Sequence, residues 1–163
     1  MEATIRHAVD SDKSVILDYA VKLSMFNRNS HNKECKYDDF DFVIQSIQTH
    51  TEEKFNNRDE NTSFFIAELD GNPVGYVLGR ILEEIEVSDN GRGRKGLLDE
   101  LFLDETSRGL GIGQKLLDET IKWMKTQTIN RIKLHAYAWN NNAKKLYERN
   151  GFSQYAVSYE RFI

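Results

Sequence analysis

The sequence predicts an α/β domain of the α+β type, with a mixed, mostly antiparallel sheet flanked by helices in the order β-α-α-β-β-β-α-β-α-β. Three observations carry this. Two apolar runs surround Asp70-Gly71-Asn72-Pro73, and a third apolar run follows, so three strands should form a meander. From Gly111 onward the apolar period changes to helical spacing. The length of 163 residues, 39% apolar and 29% charged, suits one domain with a real core and excludes a disordered composition.

Each element has its own signal. Residues 4–9 alternate like a half-buried strand. Ser11 offers an N-cap to an amphipathic helix carrying Ile16, Tyr19, Ala20 and Leu23. After a polar stretch, Asn27 to Lys36, a second helix should follow Asp38 or Asp39 with Phe40, Val43, Ile44 and Ile47 on one face. Asn56 to Thr62 reads as loop. Ser63–Leu69 and Val74–Leu82 are the hairpin strands, with Pro73 at an opening position where a missing N–H is tolerated. Leu97–Leu103 is the third strand of the meander. Ile112, Leu116, Leu117, Ile121 and Met124 define the next helix. Arg131 to Trp139 is a strand, Asn140 opens a short helix stopped at Gly151, and Phe152 to Ile163 alternates like a last strand. No repeat or linker divides the chain, so residues 1–163 are expected to be one domain.

Charge and cysteine content exclude several classes. With 22 Lys plus Arg against 26 Asp plus Glu, the net charge of −4 argues against a phosphate-tracking nucleic-acid binder. The lone Cys35 excludes a disulfide framework and a cysteine-based zinc site. No apolar run is long enough to cross a membrane, and the start lacks a signal-peptide pattern, so a cytoplasmic location is expected. His7, His31, His50 and His135 show no ligand spacing, and no metal is expected. An acidic stretch at Glu83, Glu84, Glu86 and Asp89, followed by Arg92, Arg94 and Lys95, suits either a solvated strand end or the attraction of a cationic substrate.

Between Leu103 and the helix lies Asp104-Glu-Thr-Ser-Arg108-Gly-Leu-Gly-Ile-Gly113. Alternate glycines let the backbone turn tightly and aim several N–H groups at one spot, in front of a helix N-terminus that favours anions. Such glycines alone suit a structural turn as well as a phosphate site; the strand–turn–helix context favours phosphate. A P-loop is excluded, because no Lys-Ser or Lys-Thr follows the last glycine. The glycine spacing and the preceding meander also disfavour a dinucleotide fold.

Arg108-Gly-Leu-Gly111-Ile-Gly113 resembles the Arg/Gln-x-x-Gly-x-Gly pyrophosphate motif of the GNAT superfamily of N-acetyltransferases. Leu98-Asp-Glu-Leu-Phe-Leu-Asp resembles that family's fourth strand, and Asn140-x-x-Ala143-x-x-x-Tyr147-x-x-x-Gly151-Phe152 its second signature. The resemblance implies a GNAT-like sheet whose fourth and fifth strands splay, with acetyl-CoA as co-substrate in the gap. Leu101, Phe102 and Leu103 would then bond the pantetheine arm and acetyl carbonyl. Arg108, Gly109, Leu110, Gly111, Ile112, Gly113 and Gln114 would hold the pyrophosphate, and Asn140 the arm from the other side. The acceptor would be a small-molecule or peptidic amine, and a homodimer is compatible with the resemblance.

Acyl transfer to an amine sets two proton problems. A primary alkyl amine, pKa about 10.4, arrives protonated at neutral pH, and the leaving thiolate, thiol pKa about 8.5, gains from a proton. By resemblance Tyr147 is the general acid near sulfur. For the base there are adjacent carboxylates, Asp99 and Glu100, which in a regular strand point to opposite faces. Asp99 occupies the glutamate position of the polyamine-acting branch, which Trp139 also resembles; Glu100 is the alternative, and family members without a dedicated base exist. A non-catalytic CoA-binding sensor is the competing reading, although a sensor needs neither Tyr147 nor a carboxylate at 99 or 100.

Overall fold

A computed structural model describes residues 2–31, 39–84, 93–161 and 163. Cys35, Glu86, Asp89 and Arg92 lie outside these described residues. The chain begins with β1 (Ala3–His7), a single 3-10 turn (Asp10–Asp12) and α1 (Lys13–Ser30). Asp12, not Ser11, sits at the N-cap of α1, and Ser11 is wound into the preceding turn. The reason is electrostatic. The buried Asp12 carboxylate accepts from Val9 N–H at 2.8 Å and from both Arg6 guanidinium ends at 2.6 and 2.9 Å. Arg6 also binds Glu68, so one guanidinium joins β1, the start of α1 and the second strand.

The second helix, α2 (Phe40–Asn56), is capped by Asp39, whose Oδ1 accepts from the amides of Asp41 and Phe42. Its inward residues are Thr51 and Phe55, with Ile47 half-buried; Phe40 is exposed beside Arg28, so the apolar face starts later than its sequence pattern suggests.

Strands β2 (Thr62–Leu69) and β3 (Asn72–Glu84) form the expected hairpin, with Asp70 at φ +50° and Gly71 at φ +80° as the mirror-image turn requires. Strand β4 (Gly93–Leu103) completes the meander, and Glu83 lies opposite Arg94, a pairing that fits the solvated strand-end reading of this charge run. A second 3-10 turn (Glu105–Ser107) leads to α3 (Ile112–Thr126), then β5 (Ile132–Leu134) and α4 (Asn141–Arg149). The sheet order is β1-β2-β3-β4-β5, antiparallel except for the β4–β5 pair.

Alternation along the strands divides the core into two layers. Phe64, Ile66, Tyr76, Leu78 and Phe102 face α1 and α2, where they meet Ile16, Tyr19, Ala20 and Phe55. Phe65, Ala67, Val77 and Leu98 face α3 and α4, against Ile112, Leu116, Leu117 and Tyr147. Helix α3 runs so close to the sheet that a Cβ on Gly96 would come within 2.5 Å of Met124 Sδ.

Two expected strands differ. The fifth covers three residues, not Arg131 to Trp139, because past Leu134 it pairs with no strand among the described residues. Residues 152–161 form no strand, and Tyr155, Val157 and Tyr159 stand exposed. Alternation alone cannot make a strand without a partner edge.

The Arg6–Asp12 contact yields a pH test. Arg6 holds the Asp12 carboxyl below the usual aspartate range, against the opposing effect of burial. A depressed folded-state pKa contributes stability above the unfolded value that is lost as pH falls through the folded one. Asp12→Asn should cost about 1–2 kcal/mol at neutral pH, since Arg6 is partly exposed. Denaturant titrations should show that gap holding down to about pH 4 and closing below it.

Candidate active site

The site grows from a parting of two strands. Strand β5 pairs with β4 through Gly96–Ile132, Leu97–Lys133 and Leu98–Leu134 and no further. Beyond Leu98, β4 stays bonded to β3, with Glu100 opposite Leu78, Leu101 opposite Val77, Phe102 opposite Tyr76 and Leu103 opposite Gly75. Among the described residues, its other edge therefore lacks a strand partner from residue 99 to Leu103. An unpaired edge within a sheet is a slot for one extended chain.

The glycine turn stands at the end of that slot. Gly109 (φ +80°) and Gly111 (φ +77°) adopt left-handed backbone, which glycine takes at no steric cost. The first bond of α3 runs from Lys115 N–H to Gly111 O at 3.2 Å, so the amides of Ile112, Gly113 and Gln114 have no helical acceptor, and no side chain caps them. A Cβ on Gly109 or Gly111 would meet nothing within 4 Å, so the room in front of these amides is open. Free amides, open space and the positive end of the helix dipole fit a pyrophosphate. Leu110 is exposed beside them.

Two side chains of the turn have other work. Arg108 Nε donates to Leu103 O at 3.2 Å, and its guanidinium lies 4.8 Å from the centre of the Phe26 ring. Gln114 Nε2 donates to Asn150 Oδ1 at 2.6 Å while Asn150 Nδ2 donates back to Gln114 Oε1 at 2.8 Å, fastening α3 to α4. For Gln114, the main-chain amide is what remains for a ligand.

Helix α4 supplies the opposite side. Asn140 is its N-cap, Oδ1 accepting from Ala143 N–H at 3.1 Å. Seven residues on, Tyr147 is 9% exposed and shares a cluster with Leu101, Leu103 and Phe152. Burial raises its pKa above the ordinary phenol value, so the hydroxyl carries its proton at neutral pH. The segment after β5 stacks Tyr137 on Trp139, and Trp139 meets Phe26 of α1 at 5.7 Å. Trp139 Nε1 is buried and has no acceptor among the described residues.

Asp99 and Glu100 correct a sequence expectation. They do not point to opposite faces: Lys54 Nζ of α2 lies 3.0 Å from both Asp99 Oδ2 and Glu100 Oε1. The β3–β4 register shifts between Leu78 and Gly79, which pair with Glu100 and Leu98, so Asp99 is an extra, bulged residue. A bulge sets two consecutive side chains on one face. Tyr76 donates a short hydrogen bond to Glu100 Oε2, and Arg80 lies 3.5 Å from Asp99. Lys54, Tyr76 and Arg80 were not singled out in the sequence. Lys54 looks there like an ordinary basic residue in the last turn of a helix, and nothing local says which strand that turn overlies. Among the described residues, no group of three or more His, Cys, Asp or Glu is placed to hold a metal ion.

Comparison with known proteins decides the family. The profile of the Acetyltransferase (GNAT) family matches residues 26–152, which include α2, the meander, the glycine turn and α4. The chain belongs to the GNAT acetyltransferase family. It is similar to the N-alpha-acetyltransferase of Sulfurisphaera tokodaii, 31% identical over 107 residues covering 61% of this chain and 62% of that one. It is also similar to the spermine/spermidine N(1)-acetyltransferase of Bacillus subtilis, 34% identical over 84 residues, 51% of this chain and 54% of that one. The matches thus span less than two thirds of either relative's length. In fold, the chain is similar to a predicted acetyltransferase of Clostridium acetobutylicum whose structure was solved with acetyl-CoA, at TM-score 0.73 and 20% identity, covering 99% of this chain and 96% of that one. The profile match runs across both the parted strands and the glycine turn.

The open room at Gly111 gives a direct test. A side chain there would be forced into left-handed backbone, at about 1–2 kcal/mol, and would stand in the open space beside the first turn of α3. Gly111→Val should lower the melting temperature modestly and weaken CoA binding by more than about tenfold, as calorimetry would show. Tight binding of NAD or ATP to the parent protein with no binding of CoA would reject CoA as the ligand.

Proposed function

We propose that the protein transfers the acetyl group of acetyl-CoA to a primary amine, by direct attack in a ternary complex. The observation that carries this is the open β4 edge leading straight into the uncapped N-terminus of α3. Acetyl-CoA supplies an activated thioester. Leu101, Phe102 and Leu103 offer main-chain groups to its arm, and Asn140 approaches from the other side. Arg108 and the amides from Gly109 to Gln114 hold the pyrophosphate, with Ile112 and Leu116 anchoring the turn in the core.

Proton handling falls to three side chains. Asp99 or Glu100 takes the proton of the incoming ammonium, directly or through water, so that the nitrogen lone pair can attack. The C–N bond forms, the C–S bond breaks, Tyr147 Oη passes its proton to the sulfur, and the second proton shed by the acylated nitrogen returns through solvent to the phenolate, leaving a neutral amide and a free thiol. Burial favours the neutral phenol, which is the form a general acid needs.

For the acceptor, a polyamine or other small amine is the reading we adopt. The named spermine/spermidine acetyltransferase among the relatives supports it, as do the paired carboxylates on one face. The same reading takes residues 1–163 as one domain working in the cytoplasm without a resident metal. Free-thiol release from acetyl-CoA across polyamines, amino acids, aminoglycosides and peptides tests it; turnover with amino acids or peptides alone would reject the polyamine reading.

Tyr147 allows a sharper test. Its hydroxyl has no hydrogen-bond partner among the described residues, so Tyr147→Phe keeps the packing and strands no polar group. General-acid help is typically worth about 10²–10⁴-fold. The variant should lose at least about tenfold in kcat while CoA affinity and melting temperature barely move, and the loss should shrink with an acyl donor whose thiol leaves more easily. Full turnover with chemistry rate-limiting would reduce Tyr147 to packing.

A further inference from the structure

We propose that Lys54 is a positioning residue, whose ammonium clamps Asp99 and Glu100 side by side and sets the pH at which the pair can accept a proton. The proposal deepens the acid–base reading above and rests on it. Its basis is geometric. The bulge at Asp99 forces two carboxylates onto one face of β4, where alone they would repel. Lys54 Nζ sits between them at 3.0 Å from each.

The groups facing the pair are Lys54 from α2, and Tyr76 and Arg80 from β3. Arg80 is the looser partner, 3.5 Å from Asp99, and Tyr76 carries no charge when it donates to Glu100. Burial works against the Lys54 cation, but the attraction of Glu100 and Asp99 outweighs it and raises the lysine pKa. Removing Lys54 leaves the two like charges with only the looser Arg80 contact to offset them among the described residues, so the pair should keep a proton to higher pH.

Carboxyl-carbon NMR titration of the full-length protein and of Lys54→Met tests this without any ligand. At least one of the Asp99 and Glu100 midpoints should rise by about one pH unit, and Lys54→Arg should restore it. Unmoved midpoints in a folded Lys54→Met would overturn the clamp. Should that variant fail to fold, the reciprocal measurement decides: the Lys54 Cε midpoint should fall in Asp99→Asn and in Glu100→Gln, and no fall in either rejects the proposal. Turnover separates the two readings. With the amine that releases thiol fastest, the acid limb of the kcat/KM profile should move up with the carboxyl midpoints in Lys54→Met. If the midpoints move and the acid limb does not, the clamp stands and the carboxylates are not the base.

Discussion

A sheet that stops pairing in mid-strand is the constraint on which the rest of this molecule depends. Backbone N–H and C=O groups almost always find partners, and β4 loses its partners on one side after Leu98. The loss is local because β3 holds the other edge of β4 all the way to Leu103. Once the strands have parted, the two sides of the gap belong to different parts of the chain. The β4 side leads through the glycine turn into α3; the β5 side leads through Trp139 and Asn140 into α4 and Tyr147. Helix α4 is refastened to α3 by the Gln114–Asn150 pair, so the two sides of the gap are tied together beyond the strands. Phe26, from the far end of α1, touches both the Arg108 guanidinium and Trp139, which links the first helix to both sides.

The second organising feature is electrostatic. Half-buried charges survive only if they are paired and hydrogen-bonded, and the β4 carboxylates satisfy this with a lysine, an arginine and a buried tyrosine. The cluster joins three elements far apart in sequence: the end of α2, the middle of β3 and the bulge of β4. Its charges balance, with two carboxylates against two cations. An incoming ammonium therefore meets a network that already contains a primary ammonium of its own.

Much of this was legible in the sequence, for physical reasons that differ by element. The β2–β3 hairpin follows from Asp70-Gly71, because few other pairs tolerate two positive φ angles in succession. Helix α3 follows from its period, and its start from glycines that a helix interior would reject. The start of α2 follows from the capping aspartate. What failed depended on partners distant in sequence. Ser11 looked like a cap because serine usually caps, but Arg6 and Val9 recruit Asp12. The tail alternates, yet alternation describes a surface and does not supply a neighbouring edge. The shared face of Asp99 and Glu100 was hidden because a non-glycine bulge leaves no composition signal, and Lys54 was hidden with it.

That bulge is also a change of parity. Leu98 and Phe102 are four residues apart, an even step, so a regular strand would place them in one layer; here Leu98 packs with α3 and Phe102 with α1. Strand β4 thus reads its first half in one frame and its second half in the other, and the frame shift falls at the carboxylates. No substitution along β4 can reproduce or erase that shift, because side-chain identity does not alter the count. Losing Asp99 would set Leu98 directly beside Glu100 on the opposite face, so the strand would regain one regular frame with every other side chain in its present layer, and the second carboxylate would be gone. In this chain the length of a strand, counted as odd or even, is a chemical property of the site.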